Sequence, residues 1–302
     1  MSKEVSVVIV TRNRPVLAIQ AVASILACDH ENFEVVVVDQ GDVPLELSAD
    51  PRLRLLRSEP GLCRGRNQGI SSARFDRIGC TDDDCVAPRD WVTRIAEVLE
   101  PDRAGLVFGN VCAGEAGDGL IPAHINQQAS SARTPWQRNR IEGMGACMAL
   151  RRSAWVELGG FDEYLGTGAP LPAGDETDFA IRALVAGWEV RTDPRLELVH
   201  LGERQRDELA DLTSSYWRGT GAVFAKFLRL RPGPALFSLT GLGLRWLYGG
   251  GSHVARSTEA ARLARLTSFL HGFRLGFTTP LQEGCFSAPD GLQRRVAPPG
   301  GE

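Results

Sequence analysis

The sequence predicts an α/β fold with a doubly wound, mostly parallel sheet, helices on both faces of the sheet, and a C-terminal helical appendage. Two runs of mostly β-branched residues, Val5–Val10 and Glu34–Asp39, are typical of strands buried on both faces of a parallel sheet. Helical patterns and short links separate such runs, and this alternation indicates a doubly wound sheet. The 302 residues suffice for one such domain with an appendage.

Local patterns define the elements of the first hundred residues. After the first strand, Pro15 favours the start of a helix that we expect to reach Cys28. Parallel strands place their ligand crevice at their carboxyl ends, so the residues that follow each strand matter most. The next expected elements are a strand over Glu34–Asp39, a short strand over Leu53–Leu56, a Gly-rich turn and helix within Gly61–Phe75, a strand over Arg77–Cys80 and a helix over Arg89–Leu99.

The pattern of the later elements changes after Glu203, where helices replace the alternation. We therefore expect an α/β domain over 1–202, a basic helical region over 203–280 and a disordered tail over 281–302. The individual expectations are a strand over Gly105–Gly109, a long polar segment over 113–142, a strand and short helix within Ile141–Trp155, a helix from Asp175 ended by Gly187, strands over Trp188–Thr192 and Leu196–His200, and helices over Asp207–Arg231, Pro234–Gly250 and Ser257–Phe273.

The composition places the chain among globular proteins. Hydrophobic residues make up 43% and charged residues 24%, which excludes disordered and collagen-like classes. No apolar run approaches the ~18 residues of a membrane span, and the first residues are too short a run for a secretory signal. The seven cysteines are odd in number and form no CxxC pair, so we expect free thiols and a cytoplasmic protein.

Three successive carboxylates, Asp82, Asp83 and Asp84, follow the predicted strand that starts at Arg77. Adjacent carboxylates repel one another unless a cation or hydroxyl groups compensate them. In an extended backbone Asp82 and Asp84 point the same way and Asp83 the opposite way, which would form a two-carboxylate claw. Such hard oxygen ligands suit Mg²⁺ or Mn²⁺, although an exposed acidic turn is the alternative.

The residues that follow the other predicted strands disfavour some classes of reaction. Asp39 closes the second strand, where its carboxylate could accept hydrogen bonds from a ribose or base, or could cap a turn. The glycines of Gly61–Gly69 do not have the spacing of a dinucleotide fingerprint, and the first strand is followed by TRNRP instead. The chain also has no GxxxxGK[ST] phosphate loop. Hydride transfer and P-loop chemistry are therefore disfavoured.

Six segments occur in an order and spacing that resemble family 2 glycosyltransferases with the GT-A fold. The resemblance covers residues 4–202. It implies an inverting enzyme of the hexosyltransferase type that moves a sugar from a nucleoside diphosphate sugar to an acceptor hydroxyl, with Mn²⁺ or Mg²⁺ as cofactor and no nucleic acid partner. The segments are VSVVIVTRNRP, VVVVDQGD, GLCRGRNQG, TDDDC, GGFDE and GDETDFAIRALVAGWEV.

The resemblance also implies roles for individual residues. The metal ligand of the DxD-like triplet would be Asp84, and some GT-A enzymes add a late histidine, here His200, although a lone histidine is more often packed or on the surface. In the family's pattern the nucleoside lies against the ends of the first two strands, and the arginine-asparagine pair of the third motif lies near the nucleotide. The implied donor ligands are Thr11, Asn13, Asp39, Arg66, Asn67, Asp82, which would contact the ribose, and Asp83.

The general base is implied at the start of the helix that follows Gly174. The family has a Gly-Glu-Asp-x-Asp segment there and uses its second acid, whereas this chain has Asp175 followed by Glu176, so the two acids are exchanged. The base position falls on Glu176, and Asp175 remains the alternative. Charge complementarity with the helix N-terminus is the competing explanation for acids at this place.

The basic charge of the C-terminal region favours a second surface. Residues 212–278 carry nine Arg or Lys and one acid, while the whole chain has a net charge of -3. We expect this region to lie on an anionic membrane surface, on the inner face of the cell membrane, and to bring the site to a lipid-linked acceptor. Packing on the α/β domain is the alternative. The other functions considered are a metal-dependent nucleotidyltransferase and a non-catalytic sugar-nucleotide binding module.

Overall fold

The computed structural model describes residues 3–100, 103–205, 208–248 and 259–287. Its strands, numbered in chain order, are β1 (Val5–Thr11), β2 (Phe33–Asp39), β3 (Leu53–Arg57), β4 (Arg77–Asp82), β5 (Cys85–Val86), β6 (Ala104–Ala113), β7 (Ser130–Ala132), β8 (Cys147–Arg151), β9 (Glu189–His200), β10 (Leu281–Gln282) and β11 (Cys285–Phe286). Its α-helices are α1 (Pro15–Leu26), α2 (Leu62–Ser72), α3 (Trp91–Val98), α4 (Arg152–Glu157), α5 (Asp175–Ala186), α6 (Glu208–Leu230), α7 (Pro232–Tyr248) and α8 (Glu259–Thr278).

The described residues form one mixed sheet of nine strands in the order β3-β2-β1-β4-β8-β6-β9-β5, with β7 also paired to β9. The first four of these strands are mutually parallel, and β6 runs parallel to β9. Strand β8 is antiparallel to both of its neighbours. The predicted doubly wound, mostly parallel sheet is therefore confirmed. In its register Thr11 pairs with Asp39 and Val10 with Asp82, so β1, β2 and β4 end at one edge.

Helices cover both faces of this sheet. Consecutive residues of a strand point to opposite faces, so each central strand packs against helices on both sides. In β1, Val7 and Ile9 belong to the hydrophobic cluster that α1 and α3 complete. Val8 points the other way, into the cluster that contains Ile70 of α2 and Phe179 of α5. Both faces of β1 are thus buried, which explains its unbroken apolar sequence.

Strand β9 replaces the two short strands expected near the end of the α/β domain. Its pairing with β6 slips between Phe108 and Asn110, which pair with Thr192 and Glu197. Asp193 holds the irregular stretch, because it accepts hydrogen bonds from the backbone N–H and the guanidinium of Arg195. The long polar segment before it contains β7 and a 3-10 helix over Pro135–Arg140.

The C-terminal helices pack on the α/β domain through α6. Ala222, Val223 and Phe227 of α6 share a hydrophobic cluster with Ile181 of α5 and with Phe286. Packing on the domain, one of the two expectations for this region, therefore holds for α6. No helix in the described part of the chain is both long and apolar enough to cross a bilayer.

The tail expected to be disordered from residue 281 is ordered over 281–287. Leu281 pairs with Phe286 in the β10–β11 hairpin, and Phe286 is fully buried. Its backbone N–H donates a hydrogen bond of 2.8 Å to Asp162. The Pro- and Gly-rich composition is a poor guide here because one aromatic side chain fixes the hairpin. Residues 288–302 of the expected tail lie outside the described residues.

Candidate active site

The acidic triplet does not lie in extended backbone. Strand β4 ends at Asp82 and β5 begins at Cys85, so Asp83 and Asp84 form a turn between the two strands. The turn allows β5 to pair antiparallel with β9, where Cys85 is the partner of His200. The expected geometry, with Asp82 and Asp84 on one side and Asp83 on the other, is therefore wrong.

Arg14 connects the two carboxylates of this turn. Its guanidinium lies 2.7 Å from Asp83 Oδ1 and 2.8 Å from Asp84 Oδ2. The other oxygen of Asp83 accepts a 2.7 Å hydrogen bond from the Thr11 hydroxyl. Both aspartates are buried, whereas the Arg14 side chain is 41% exposed. Burial outweighs these contacts at Asp83 and raises its pKa to about 6.

Asp84 and His200 form a pair at the bottom of the crevice. Asp84 Oδ1 lies 3.1 Å from His200 Nε2, and the other ring nitrogen, Nδ1, lies 3.0 Å from the Pro122 carbonyl oxygen. Because that carbonyl accepts the Nδ1–H, it directs Nε2 towards Asp84. Burial alone would raise the pKa of Asp84, but its contacts with His200 and Arg14 lower it to about 2. The same contact raises the pKa of His200, although burial opposes this.

This pair has the character of a site for a divalent cation. Asp84 Oδ1 is buried, and a protonated His200 is its only hydrogen-bond donor among the residues that the structure describes. Two adjacent ligands of an octahedral cation, each about 2.1 Å from it, are about 3.0 Å apart, close to the observed separation. A Cβ at Gly202 would clash with Asp84 Oδ2 and lie 2.9 Å from His200 Nε2, so only glycine leaves this space open.

Cys85 is the third potential ligand at this place. Its sulfur lies within 4.8 Å of ligand atoms of Asp84 and His200, and all three residues are buried. Burial raises the pKa of the Cys85 thiol, which keeps it protonated and a weak ligand. The carboxylate and imidazole that remain suit Mn²⁺ or Mg²⁺ better than a metal that prefers thiolates.

Asp39 and Asn13 stabilise the loops at the ends of β2 and β1. Asp39 accepts hydrogen bonds from the backbone N–H groups of Gly41 and Leu45 and forms an ion pair with Arg57. Although burial opposes it, these contacts lower the pKa of Asp39. Asn13 has a φ of 56° and exchanges two hydrogen bonds of 2.8 Å with Asp42. The sequence predicted both residues as nucleoside ligands, and the structure places both at the carboxyl edge.

Arg66 links the donor side of the crevice to α5. Its buried guanidinium donates to Asp175 Oδ2 at 2.6 Å and to Asp82 Oδ1 at 3.1 Å. A third bond, of 3.1 Å, reaches the Gly145 carbonyl. These anions raise the pKa of Arg66 despite its burial, so its charge is permanent. The predicted site residues Arg66, Asp82 and Asp175 are thus brought together.

Asn67 points away from this group. Its Oδ1 accepts hydrogen bonds from Trp155 Nε1 at 3.0 Å and from the Phe161 N–H at 2.8 Å. Its Nδ2 donates to the Phe161 carbonyl at 2.9 Å. The side chain therefore holds the turn around Phe161, and it is not among the predicted residues that meet at the crevice.

The three acids at the start of α5 have different surroundings. Asp175 is paired with Arg66, and Asp178 is paired with Arg182 at 2.8 Å. Glu176 is half-buried and, in the part of the chain that the structure describes, has no ion pair with a cation. Burial and the charge of Asp175 raise the pKa of Glu176 to about 8. A carboxyl group with this pKa can exchange a proton near neutral pH.

A buried group of four charges lies beneath this helix and is named here the buried quartet. Its lysine, Lys226 of α6, donates to Asp162 Oδ2 and to Asp178 Oδ1, each at 2.7 Å. Its arginine, Arg182, adds hydrogen bonds to the carbonyls of Leu158 and Gly160. The members of the buried quartet are Asp162, Asp178, Arg182 and Lys226.

Sequence reasoning missed several residues that complete the site. Arg14 lies in the TRNRP segment that was noted without a role, and Lys226 is one of only two lysines in the chain. Burial and then the charges of Glu176 and Asp82 raise the pKa of Tyr216, in α6, to about 12. No local sequence pattern identifies Tyr216 or Lys226, because both reach the α/β domain only where α6 packs on it.

The sequence of the chain is similar to those of known glycosyltransferases. The family model described as glycosyl transferase family 2 matches residues 6–159, just over half of the chain. The putative colanic acid biosynthesis glycosyl transferase WcaA of Escherichia coli is 27% identical over 252 residues, 78% of this chain and 86% of WcaA. Glycosyltransferase GlyG of Streptococcus pneumoniae is 27% identical over 137 residues, which are 42% of this chain and 46% of GlyG.

Solved structures share the fold at low identity. The mannosyltransferase PcManGT from Pyrobaculum calidifontis, in complex with GDP-Man and Mn²⁺, aligns with a TM-score of 0.54 and 17% identity over 90% of this chain and 86% of its own. S. aureus TarS 1–349 aligns with a TM-score of 0.54 and 13% identity, over 89% and 81%. These alignments support the GT-A fold alone. With the family match over half of its length, the chain belongs to glycosyl transferase family 2.

Proposed function

We propose that this glycosyltransferase moves a hexosyl group from a nucleoside diphosphate sugar to an acceptor hydroxyl with inversion, and that it depends on Mn²⁺ or Mg²⁺. One observation carries the proposal: the crevice holds two kinds of carboxylate. Asp84 is paired with an imidazole in a geometry that suits a cation, while Glu176 has no cation partner among the described residues and a raised pKa. Neither a nucleotidyltransferase nor a non-catalytic binding module needs a carboxylate that, like Glu176, can act as a general base.

The donor side is built from the carboxyl edge of the sheet. Asp84 and His200 would hold the cation, which when bound neutralises charge on the departing diphosphate. Asp82 is the exposed member of the triplet, with its side chain 31% exposed, so it can reach a ribose hydroxyl while Arg66 fixes its other side. Thr11, Asn13 and Asp39 shape the loops against which the nucleoside would lie.

The acceptor side is served by Glu176. Its carboxylate takes the proton of the acceptor hydroxyl, and the hydroxyl oxygen attacks the anomeric carbon from the face opposite the diphosphate. A base with a pKa close to the working pH is efficient in such a transfer. Asp175 is less suited, because its carboxylate already forms an ion pair of 2.6 Å with Arg66.

The test of this proposal is the substitution Glu176→Gln. Loss of a general base lowers turnover by about 10² to 10⁴, and we expect this with unchanged affinity for a nucleoside diphosphate. The neighbouring substitution Thr177→Val is the matched control and should leave turnover within a few fold. Turnover is measured as sugar transfer or, without an acceptor, as hydrolysis of the donor. Full turnover in Glu176→Gln, with the loss moved to Asp175→Asn, would show that the exchanged acids have also exchanged roles.

The acceptor that we propose is membrane-bound and lipid-linked, with the enzyme on the inner face of the cell membrane. One stripe of α8 is apolar and unusually exposed: Leu263 is 63%, Leu270 55% and Phe277 51% exposed. At 100° per residue these positions and Leu266 fall within a sector of about 60°. Arg274 is exposed beside them. An apolar stripe next to basic side chains is typical of helices that lie in an anionic membrane surface.

The opposite side of α8 is used for packing on α6, so both expectations for this region can hold at once. A Cβ at Gly221 of α6, or at Gly272 or Gly276 of α8, would clash with a backbone carbonyl of the facing helix. The two helices therefore touch closely along one side. Such contact leaves the apolar stripe on the other side for another surface.

Flotation with vesicles tests the membrane proposal. We expect the protein to float with anionic vesicles at low salt and to stay at the bottom with neutral vesicles, because each basic residue adds about 1 kcal/mol near an anionic surface. The double substitution Leu263→Gln and Leu270→Gln should abolish flotation. The control is Val156→Gln, which changes an apolar residue that is 48% exposed on α4. Wild-type protein that stays at the bottom with anionic vesicles at low salt contradicts the proposal.

A further inference from the structure

Arg14 is a partly exposed cation of the crevice that forms ion pairs with two buried aspartates. Its guanidinium contacts Asp83 and Asp84 at 2.7 and 2.8 Å. It precedes Pro15 at the start of α1 and makes no side-chain capping bond there. Its side chain is 41% exposed, while those of the two aspartates are 1% and 2% exposed. Arg14 can therefore leave by rotating into solvent, whereas the aspartates cannot follow it.

The oxygen that Arg14 contacts belongs to the carboxylate that would hold the cation. Asp84 offers Oδ1 to His200 and Oδ2 to Arg14, and Arg204 stands 3.8 Å from the same Oδ2. A divalent cation at Asp84 would lie a few ångströms from the guanidinium, where like charges repel. Arg14 and the divalent cation therefore compete for the negative charge of Asp84.

We propose that Arg14 is an internal substitute for the metal ion: it neutralises Asp83 and Asp84 before the cation binds, is displaced from Asp84 when the cation binds, and then contacts the donor's diphosphate. This rests on the proposed function. Guanidinium groups bind carboxylates and phosphates in the same two-pronged way, so the same side chain can serve both partners. Binding of either the metal ion or the donor favours the outward position of Arg14. Arg14 would therefore make the two ligands bind cooperatively.

The proposal predicts opposite effects of one substitution on two ligands. In Arg14→Gln, Mn²⁺ alone should bind about fivefold more tightly, because partly exposed charge pairs of this kind are worth about 1 kcal/mol. A nucleoside diphosphate should bind the Mn²⁺-saturated variant about tenfold more weakly, because one charged contact to the diphosphate is lost. A residue that only supports the fold would weaken both.

The experiment measures free Mn²⁺ by electron paramagnetic resonance, followed by calorimetric titration of the Mn²⁺-saturated protein with UDP, GDP, CDP and dTDP in turn. The control is Arg12→Gln, since Arg12 is an exposed neighbour on the same loop and should change neither value. Arg14→Lys keeps the charge and loses the two-pronged contact, so its Mn²⁺ affinity should lie between those of wild type and Arg14→Gln. Circular dichroism and thermal melting without metal verify that each variant is folded.

The results separate this proposal from the function on which it rests. Unchanged or weaker Mn²⁺ binding in folded Arg14→Gln would overturn the proposal, because Arg14 would then not compete. Tighter Mn²⁺ binding with unchanged nucleoside diphosphate binding would overturn its second half. If no nucleoside diphosphate binds wild-type protein in Mn²⁺, the proposed function fails, while the Mn²⁺ measurement still decides whether Arg14 competes.

Discussion

Two groups of four charged or chargeable side chains have a similar make-up and different access to solvent. In the buried quartet the lysine and both aspartates are at most 2% exposed, and Arg182 is 6% exposed. The other group, here named the crevice cluster, also has two aspartates, an arginine and a residue that can carry a positive charge, and its arginine is 41% exposed. The crevice cluster consists of Arg14, Asp83, Asp84 and His200.

From this difference we infer that solvent access of the cation, and not the number of charges, separates a structural cluster from a candidate ligand site. Lys226 is closed in by two carboxylates and by the ring of Phe286, 4.9 Å from its ammonium. A bound ligand could replace it only if α6 detached. Arg14 can be replaced by rotation of one side chain. We therefore expect substitutions in the quartet to change stability and substitutions in the crevice cluster to change binding.

The largest effect should come from Lys226→Met. Removal of one partner leaves Asp162 and Asp178 as buried anions with fewer donors, and such losses cost about 3–5 kcal/mol. Urea unfolding followed by circular dichroism measures the change. Lys3→Met, which replaces the other lysine near the start of the chain, is the matched control and should be silent. A decrease in the free energy of unfolding below about 1 kcal/mol would show that the buried quartet does not stabilise the fold.

A smaller effect, on binding alone, is expected from Asp84→Asn. The substitution keeps the shape of the side chain and removes the charge, and Mn²⁺ affinity should fall at least about 100-fold, because even groups that only orient metal ligands are worth about 10- to 100-fold. The free energy of unfolding without metal should change far less than in Lys226→Met. Electron paramagnetic resonance of free Mn²⁺ provides the affinity.

Asp83→Asn is the control for that substitution. Asp83 contacts Thr11 and Arg14 but not His200, so we expect it to affect Mn²⁺ binding less than Asp84 does. Equal losses at the two positions would mean that both aspartates hold the cation. Undiminished sugar transfer in a chelator would exclude the metal altogether.

The last prediction concerns the pH dependence of the reaction and compares two acids that stand two residues apart on α5. Lys226 and Arg182 lower the pKa of Asp178 although its burial opposes them, whereas burial and Asp175 raise the pKa of Glu176 to about 8. A base works only when deprotonated, so kcat/KM should rise about tenfold per pH unit up to pH about 8 and then level off. A profile of kcat/KM from pH 5 to 9 measures this. A rate that is flat from pH 5 upwards would contradict a base with a raised pKa.

The parts of the fold that follow from local sequence were predictable. β1 and β2 are buried on both faces, so their apolar runs carry the information, and the residues at their ends fall on one edge because parallel strands share a register. The positions of Asp39 and Asp82 at the crevice follow from this alone. Glu176 and Asp175 came from the resemblance, and the structure adds why they differ: only Asp175 meets Arg66.

The parts that depend on distant segments were not predictable from local patterns. The turn at Asp83 and Asp84 exists because β5 pairs with β9, more than a hundred residues later in the chain. Asn67 turns to Trp155 and Phe161, about ninety residues away, and not to the crevice beside its neighbour Arg66. A helix period specifies which side of α2 each residue occupies, but not which segment will cover that side.

The hydrogen bond from Phe286 to Asp162 has a consequence for the order of synthesis. The two residues are 124 positions apart. A ribosome that adds about 5–20 residues per second needs about 6–25 s to cover that distance. During this interval the carboxylate of Asp162 must remain hydrated, and Lys226 reaches it only about halfway through. The strands β1, β2 and β4 are translated earlier, yet the interior beneath α5 can close only after Phe286 has been added. A nascent chain stalled before Phe286 would therefore have the crevice above an unfinished interior.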